Sequence, residues 1–111
     1  MGSPQYGRLV LDGKSLPTRG SVESRSLTWS ADRHLLAAQE LVSWLDEPET
    51  RVIVVDAERR IELAATRARK GFSTPLRFED DGLVYSHAHR RFPERELRLP
   101  LTRQADNRQE D

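Results

Sequence analysis

His87 and His89 are separated by one residue. On a strand, side chains two apart share a face, so this is the spacing of two metal ligands. A complete site would need a third ligand, from His34 or a carboxylate. The competing reading is a solvent-facing pair in a charged hairpin, with Val84, Ser86 and Ala88 on the other face. Asp80-Asp81-Gly82 lacks the further oxygen ligands that calcium loops place at fixed offsets, and it reads as a turn. The remaining residue types select no catalytic constellation. There is no glycine-rich phosphate loop and no G-x-S-x-G turn. Most of the 18 carboxylates fall in expected turns and tails beside arginines, and no spacing of serine, histidine and aspartate singles out a triad. No catalytic residue, metal site or cofactor is therefore assigned, and the chain is read as a non-enzyme.

Residues suited to binding are easier to find. Arg90, Arg91 and Phe92 with Arg95 and Arg98 form one basic cluster, and Arg67, Arg69 and Lys70 form another. With Phe72, Tyr85 and Phe92 nearby, they could make a stacking-plus-charge nucleic-acid site. Pairing with Glu79, Glu94 and Glu96 would instead make them a solvated face. Trp44 stands beside the acidic run Asp46-Glu47-Pro48-Glu49. It reads either as a core cover or as an interface anchor, because Trp, Tyr and Arg dominate binding hot spots. The candidate partner contacts are Trp44, Asp46, Glu47, Glu49, Tyr85, His87, His89, Arg90 and Arg91.

Composition bounds these readings. The 111 residues are one domain's worth of chain, enough to bury a core without staples. Basic and acidic residues number 18 each, which argues against a general nucleic-acid binder and a strongly basic membrane-surface protein. With no cysteine there is no disulfide scaffold, thiolate metal site or cysteine nucleophile. No apolar run approaches a membrane span, and the N-terminus lacks a signal-peptide pattern. A soluble, cytoplasmic protein is expected. Sixteen of the 18 basic residues are arginine, a hint of a GC-rich bacterial source.

These candidates need elements to position them. Residues 6–11 read as a strand, the Asp12-Gly13 pair as a turn, and residues 14–21 as a loop. Residues 24–29 read as a strand with Leu27 and Trp29 on one face. Residues 34–45 read two ways. One is a helix with Ser30 as N-cap, Leu35, Ala38, Val42 and Leu45 on one face, and Pro48 as stop. The other is a long buried strand. Residues 51–56, with four β-branched residues in a row, are the clearest strand. Residues 61–66 follow as a strand, or residues 57–70 as a helix ending at Gly71. Three more strands are expected at residues 74–79, 83–89 and 95–101. The domain is placed at residues 5–101, and residues 102–111 are expected to be a disordered tail.

The chain also echoes itself. Residues 27–37 resemble residues 76–86, 49 positions later. The first copy leads on to residues 51–55 and the second to residues 95–99. Repeats of 40 to 50 residues holding several strands point to blade-like units. The run Trp29-Ser30-Ala31-Asp32-Arg33-His34-Leu35-Leu36-Ala37 resembles the W-S-x-D-x-x-x-L-A signature of WD40-like, TolB-type β-propeller blades. Residues 50–56 resemble the third strand of such a blade. Arg33 stands where that family usually has glycine. A closed propeller needs at least four blades, and residues 24–101 have length for about two. The resemblance therefore implies a small sandwich, a sealing strand from residues 6–11, or oligomerisation.

The expected fold is mainly β, with antiparallel hairpins forming two propeller-blade-like sheets or a small sandwich. The alternative is α+β, with helices near residues 31–46 and 57–70. The expected core is Leu9, Leu11, Leu27, Trp29, Leu36, Val52, Val54, Ile61, Leu63, Leu76, Phe78, Val84, Leu97 and Leu99. The expected function is a small non-catalytic protein-binding module. In its most concrete form it is an immunity- or antitoxin-type inhibitor of a bacterial protein partner, such as a toxin encoded nearby. The alternatives are an oligomer-forming structural domain, and a metal-dependent or nucleic-acid-binding protein using His87, His89, Arg90 and Arg91. A membrane partner is not expected, and nucleic acid is disfavoured.

Overall fold

Val52, Ile53, Val54 and Val55 are apolar on successive positions, so a strand built from them has no face to offer to water. In the computed structural model, which describes residues 6–11, 13–16, 18, 20–23 and 25–101, that strand lies at the centre. Twelve strands run among the described residues: β1 (Tyr6–Gly7), β2 (Val10–Leu11), β3 (Lys14–Ser15), β4 (Ser21–Glu23), β5 (Thr28–Trp29), β6 (Leu35–Ser43), β7 (Glu49–Asp56), β8 (Ile61–Ala65), β9 (Arg69–Lys70), β10 (Phe72–Glu79), β11 (Gly82–His89) and β12 (Phe92–Pro100). The larger sheet has the order β1-β4-β6-β7-β8, with β5 also on β6 and β9 also on β7. The smaller sheet is β10-β11-β12, and β2 and β3 form a separate hairpin. All pairings are antiparallel.

Register fixes which side chains share a face. Leu36 lies opposite Val55 and Ala38 opposite Ile53. That face packs under Leu9, Leu16 and Val22, with Trp29 and Ala65 against it. Ala37 lies opposite Val54 and Gln39 opposite Val52. This second face meets Leu83 and Tyr85 of β11, with Phe78, Leu97 and Leu99 beside them. The fold is thus mainly β: two antiparallel sheets packed through one face of β6 and β7, with the N-terminal segments over the other.

The expected mainly-β fold holds, neither helix of the alternative reading forms among the described residues, and the turns show why. Ser30, the N-cap of the alternative helix near 31–46, instead closes the β5–β6 hairpin. Its N–H donates to Leu35 O, its hydroxyl donates to Asp32 Oδ1 and accepts from Leu35 N, and Asp32 Oδ1 also accepts from His34 N. Arg33 takes the left-handed conformation (φ 63°) that glycine would adopt without strain. At residues 57–60, where the second helix would begin, Asp56 Oδ1 accepts from Glu58 N and Arg59 N. Arg60 N donates to Asp56 O, which returns the chain as β8. A strand there satisfies the edge of β7, which a helix would leave open.

Several finer expectations also shift. The loop expected at 14–21 contains β3 and the start of β4, and the stretch between the strands expected at 61–66 and 74–79 contains β9 and the start of β10. Leu27, Ile61, Leu63 and Leu76 are exposed rather than core. Register shifts at Val54/Val55 and at Pro75/Arg77 break the alternation on which the inward placement of Leu63 and Leu76 depended. Leu16, Val22, Ile53, Val55, Leu83 and Tyr85 are buried in their stead. The Leu11 side chain and residues 102–111 lie outside the described residues.

One charged pair sits in the first face. The Glu40 side chain is 1% exposed, and its Oε1 accepts from Arg51 Nε at 2.6 Å. Its Oε2 accepts from Gly20 N at 2.8 Å, which fastens the N-terminal cover to the central sheet. Leu36→Ala, at a site 1% exposed, is expected to cost about 3 kcal/mol in urea unfolding through the cavity it leaves. Arg51→Met is expected to cost about 3 kcal/mol by removing the cation that compensates the buried Glu40 carboxylate, and Glu40→Met/Arg51→Met to recover at least half of that.

Candidate functional site at one end of the sandwich

Three segments distant in sequence meet where the two sheets end. They are the β6–β7 loop at residues 44–48, the corner at residues 69–71, and the β11–β12 hairpin around residues 89–92. Glu49 opposes Lys70 and Thr50 opposes Arg69 across the β7–β9 ladder. Gly71 N–H donates to Pro48 O at 2.8 Å, which ties the corner to the loop. Gly71 has φ 105°, and a Cβ there would fall 2.3 Å from Ala88 O. Only glycine lets the corner press against β11.

Hydroxyl and imidazole groups complete the joint. Thr50 is fully buried: its hydroxyl donates to Gly71 O and accepts from Ser73 N, both at 2.9 Å. Gln39 Nε2 crosses from β6 to Ser73 O at 2.9 Å and Thr74 Oγ1 at 3.1 Å. Ser73 Oγ lies 2.7 Å from His87 Nδ1, and His87 Nε2 lies 2.9 Å from Lys70 O. A carbonyl only accepts, so Nε2 carries the ring proton and Nδ1 accepts from Ser73. His89 has the same tautomer. Its Nδ1 accepts from Arg91 N at 3.1 Å, and its Nε2 donates to Glu47 Oε1 at 2.9 Å. The Phe92 ring packs 5.8 Å from the His89 ring.

Both histidines therefore face inward, toward the larger sheet, rather than into solvent. Their four ring nitrogens are all engaged by other groups. No cluster of three His, Cys, Asp or Glu suited to a metal is found among the described residues. Ser73 with His87 has the elements of a nucleophile–base pair. Ser73 is only 1% exposed, however, so its hydroxyl serves to hold the corner.

This scaffold presents apolar side chains to solvent. Trp44 is 56% exposed, Leu45 92% and Phe92 68%, with Val42 beside them on β6. Asp46, Arg90 and Arg91 are exposed around them, while Glu47 and Glu49 are half-buried. Of the expected contact residues, the fold brings together Trp44, Asp46, Glu47, Glu49, His87, His89, Arg90 and Arg91. Tyr85 does not join them, being buried in the inter-sheet core. The corner carrying Arg69 and Lys70 abuts the end of β11 that Arg95 faces, whereas Arg98 of the other basic cluster lies toward the opposite end, bound to Glu79 and Asp81. Sequence reading missed Leu45 as a contact residue, placing it on an apolar helix face in one reading and in a buried strand in the other. Its position directly before an acidic, proline-containing loop was the available signal. Thr50 and Ser73 gave no signal, since their roles exist only across strands.

Another groove, about 500 Å³, lies elsewhere, between Glu23, Arg25, Leu27, Thr28, Phe72 and Pro75 with Gln39 at its base. It is open, and its Glu23 and Arg25 side chains are bound to each other.

The electrostatics of the joint are directional. The hydrogen bond from His89 holds the Glu47 carboxyl below its ordinary value near 4.5, against the opposing pull of desolvation. A carboxyl lowered on folding stabilises the fold above its ordinary value and loses that contribution as pH falls through the lowered one. Glu47→Gln is therefore expected to be less stable than the wild type at pH 7, with the gap closing below about pH 4.5; parallel urea titrations check this. No helix among the described residues is long and apolar enough to cross a membrane. In comparison with known proteins, the chain matches no family model, no curated protein and no solved structure.

Proposed function

We propose that this protein is a small non-catalytic protein-binding module that engages its partner with the end of the sandwich bearing Trp44, Leu45, Phe92, Arg90 and Arg91. The observation that carries the reading is the exposure of Trp44, Leu45 and Phe92 on segments held by side-chain and backbone hydrogen bonds. Large apolar side chains gathered on a fixed frame mark interaction sites, and aromatic and arginine residues dominate the energy of such sites. A frame fixed in advance also spares the partner the cost of ordering it. The concrete form of this reading is an inhibitor of immunity or antitoxin type that caps a bacterial protein. Such a role needs a rigid contact surface and no reactive group.

Charge favours a protein over a nucleic acid. Arg69, Lys70, Arg90, Arg91 and Arg95 share this end with Asp46, Glu47, Glu49 and Glu94, so a phosphate backbone would meet nearly as many carboxylates as cations. Leu45 offers no stacking face, and Tyr85 is not at the surface.

The test compares the intact protein with Trp44→Ala/Leu45→Ser as immobilised baits. The wild type is expected to retain a specific protein, most directly the product of the adjacent gene. The variant should bind it at least 30-fold more weakly, as loss of a hot spot worth about 2 kcal/mol implies. The two melting temperatures should agree within about 2 °C, because both side chains are exposed. Equal retention by both baits overturns the assignment of the surface. Failure of the wild type to retain any protein overturns the function.

A further inference from the structure

A sheet edge presents unpaired N–H and C=O groups, and folds blunt such edges or use them. The edge of β10 is closed from within. Ser73 N–H donates to the Thr50 hydroxyl, Ser73 O accepts from Gln39 Nε2, and Pro75 has no N–H to offer. The edge of β8 is broken, because Val55 lies opposite Glu62 and Val54 opposite Ala64, which leaves Leu63 bulged. Strand β1 has only two residues. Strand β12 differs. It spans Phe92–Pro100, pairs among the described residues with β11 alone, and keeps an unbroken register from Arg95 to Pro100.

The free groups of β12 can be placed. Leu101 N–H donates to Asp81 O, and bonds to one neighbour recur at every second residue of an antiparallel strand. Leu99, Leu97 and Arg95 therefore bond to β11, opposite Leu83, Tyr85 and His87. Glu96 and Arg98 direct their N–H and C=O groups away from the sheet. Their side chains lie on the outer face, where Arg98 is held by Glu79 and Asp81, and Glu96 by Arg77. Those contacts use Nη1 and Nη2 of Arg98 and Oε1 of Glu96. Arg98 Nε–H and Glu96 Oε2 remain for a further partner among the described residues. On the inner face Leu97 and Leu99 are half-buried.

We propose that β12 pairs antiparallel with β12 of a second copy about a two-fold axis at Leu97, joining the two three-stranded sheets into one. The axis must pass through a residue, because an axis between residues would set outward backbone groups of one copy against inward ones of the other. Centred on Glu96 it sets carboxylate against carboxylate, and centred on Arg98 guanidinium against guanidinium. Like charges directly opposite are destabilising. Centred on Leu97 it sets Glu96 opposite Arg98 of the second copy on both sides of the axis, Leu97 opposite Leu97, and Arg95 opposite Leu99. The ladder bonds and the covered leucines supply the affinity. Exposed charges add little to that and select the register. The Trp44 end lies by the β11–β12 hairpin, outside this contact, so the dimer carries two such ends facing opposite ways. The pairing does not rest on the binding reading above.

Sedimentation and one introduced thiol test this on the full chain. The wild type is expected to sediment as a dimer that dissociates on dilution. Glu96→Arg sets cation against cation and Arg98→Glu sets carboxylate against carboxylate, so each should weaken the dimer about tenfold. An equimolar mixture of the two variants should restore it, because each chain then offers the charge that the other lacks. Restoration by mixing cannot come from either variant's own fold, which separates the contact from any loss of stability. The chain has no cysteine, so a single thiol also reports the register. Leu97 meets its own copy with Cα atoms about 4.5 Å apart, within reach of a disulfide. Leu97→Cys should therefore form a covalent dimer under mild oxidation, whereas Leu99→Cys, opposite Arg95 of the second copy, should not. A wild type that stays monomeric at every soluble concentration overturns the proposal. So does a mixture no tighter than its components, or a thiol at position 99 that links as readily as one at 97. A monomer whose β12 takes up an extended segment of another protein overturns the second copy as occupant. Loss of the dimer leaves the Trp44 reading standing, and loss of that reading leaves the dimer standing.

Discussion

Strands β6 and β7 must be covered on both faces. Eight side chains at their centre, Leu36 to Gln39 and Val52 to Val55, are all 3% exposed or less. A two-stranded ribbon cannot hide both its faces, so the rest of the chain is recruited to do it. The smaller sheet closes one face with Leu83, Tyr85, Leu97 and Leu99. The N-terminal segments close the other with Leu9, Leu16 and Val22. Each fully buried aliphatic side chain contributes roughly 1.5–3 kcal/mol, so neither cover is dispensable. The N-terminal cover consists of strands of only two or three residues, so its hold depends more on side chains than on ladder bonds.

Polar residues placed among these apolar ones decide where the covers sit. Glu40 continues the face of Leu36 and Ala38 by the period of two, and carries it from apolar packing to a hydrogen bond with Gly20. Gln39 continues the opposite face and reaches across to Ser73 and Thr74. The strand that most needs covering therefore carries, on adjacent residues, the group that aligns each cover. Hydrophobic burial is non-directional and would tolerate sliding of one sheet over the other. A buried amide or carboxylate left without its partner would cost about 1–3 kcal/mol or more, which penalises the slid arrangements.

Legibility in the sequence follows from range. Residues 51–56 were evident because a β-branched run is a local signal. The hairpin turns at Asp80-Asp81-Gly82 and near Ser30 were evident for the same reason. The internal echo also has a structural counterpart. Its first copy becomes the β5–β6 hairpin followed by β7, and its second the β10–β11 hairpin followed by β12. Residues 34–45 were ambiguous because a strand buried on both faces has no alternation to show, and its Leu, Ala, Gln and Glu content favours helix. Antiparallel pairing with β7 outweighs that propensity. Bulges were invisible, and two of them misplaced side chains: Leu76 beyond Pro75, and Leu63 at the shift in β8. At the candidate site, Trp44 and the arginines were legible as residue types. The Thr50–Ser73–His87–Lys70 chain was not, because it draws on four strands and includes a backbone carbonyl.

That chain explains why the exposed residues lie at this end. A hairpin loop such as 44–48 is ordinarily the most mobile part of a sheet, and exposed apolar side chains on a mobile loop bind weakly and aggregate readily. Here the loop has two attachments outside its own hairpin: Glu47 to His89, and Pro48 to the corner. Both lead back, within a few bonds, to buried Thr50 and Ser73. Among the described residues, the other surfaces lack this combination. Arg77 and Arg98 on the smaller sheet are bound to Glu79, Glu96 and Asp81, so their charge is already satisfied by the protein itself. Ile61 and Leu63 are exposed on a short edge strand, with no polar side chain fastening them to the other sheet among the hydrogen bonds described above. Rigidity and unsatisfied apolar surface coincide where Trp44, Leu45 and Phe92 stand, and binding at low entropic cost requires both.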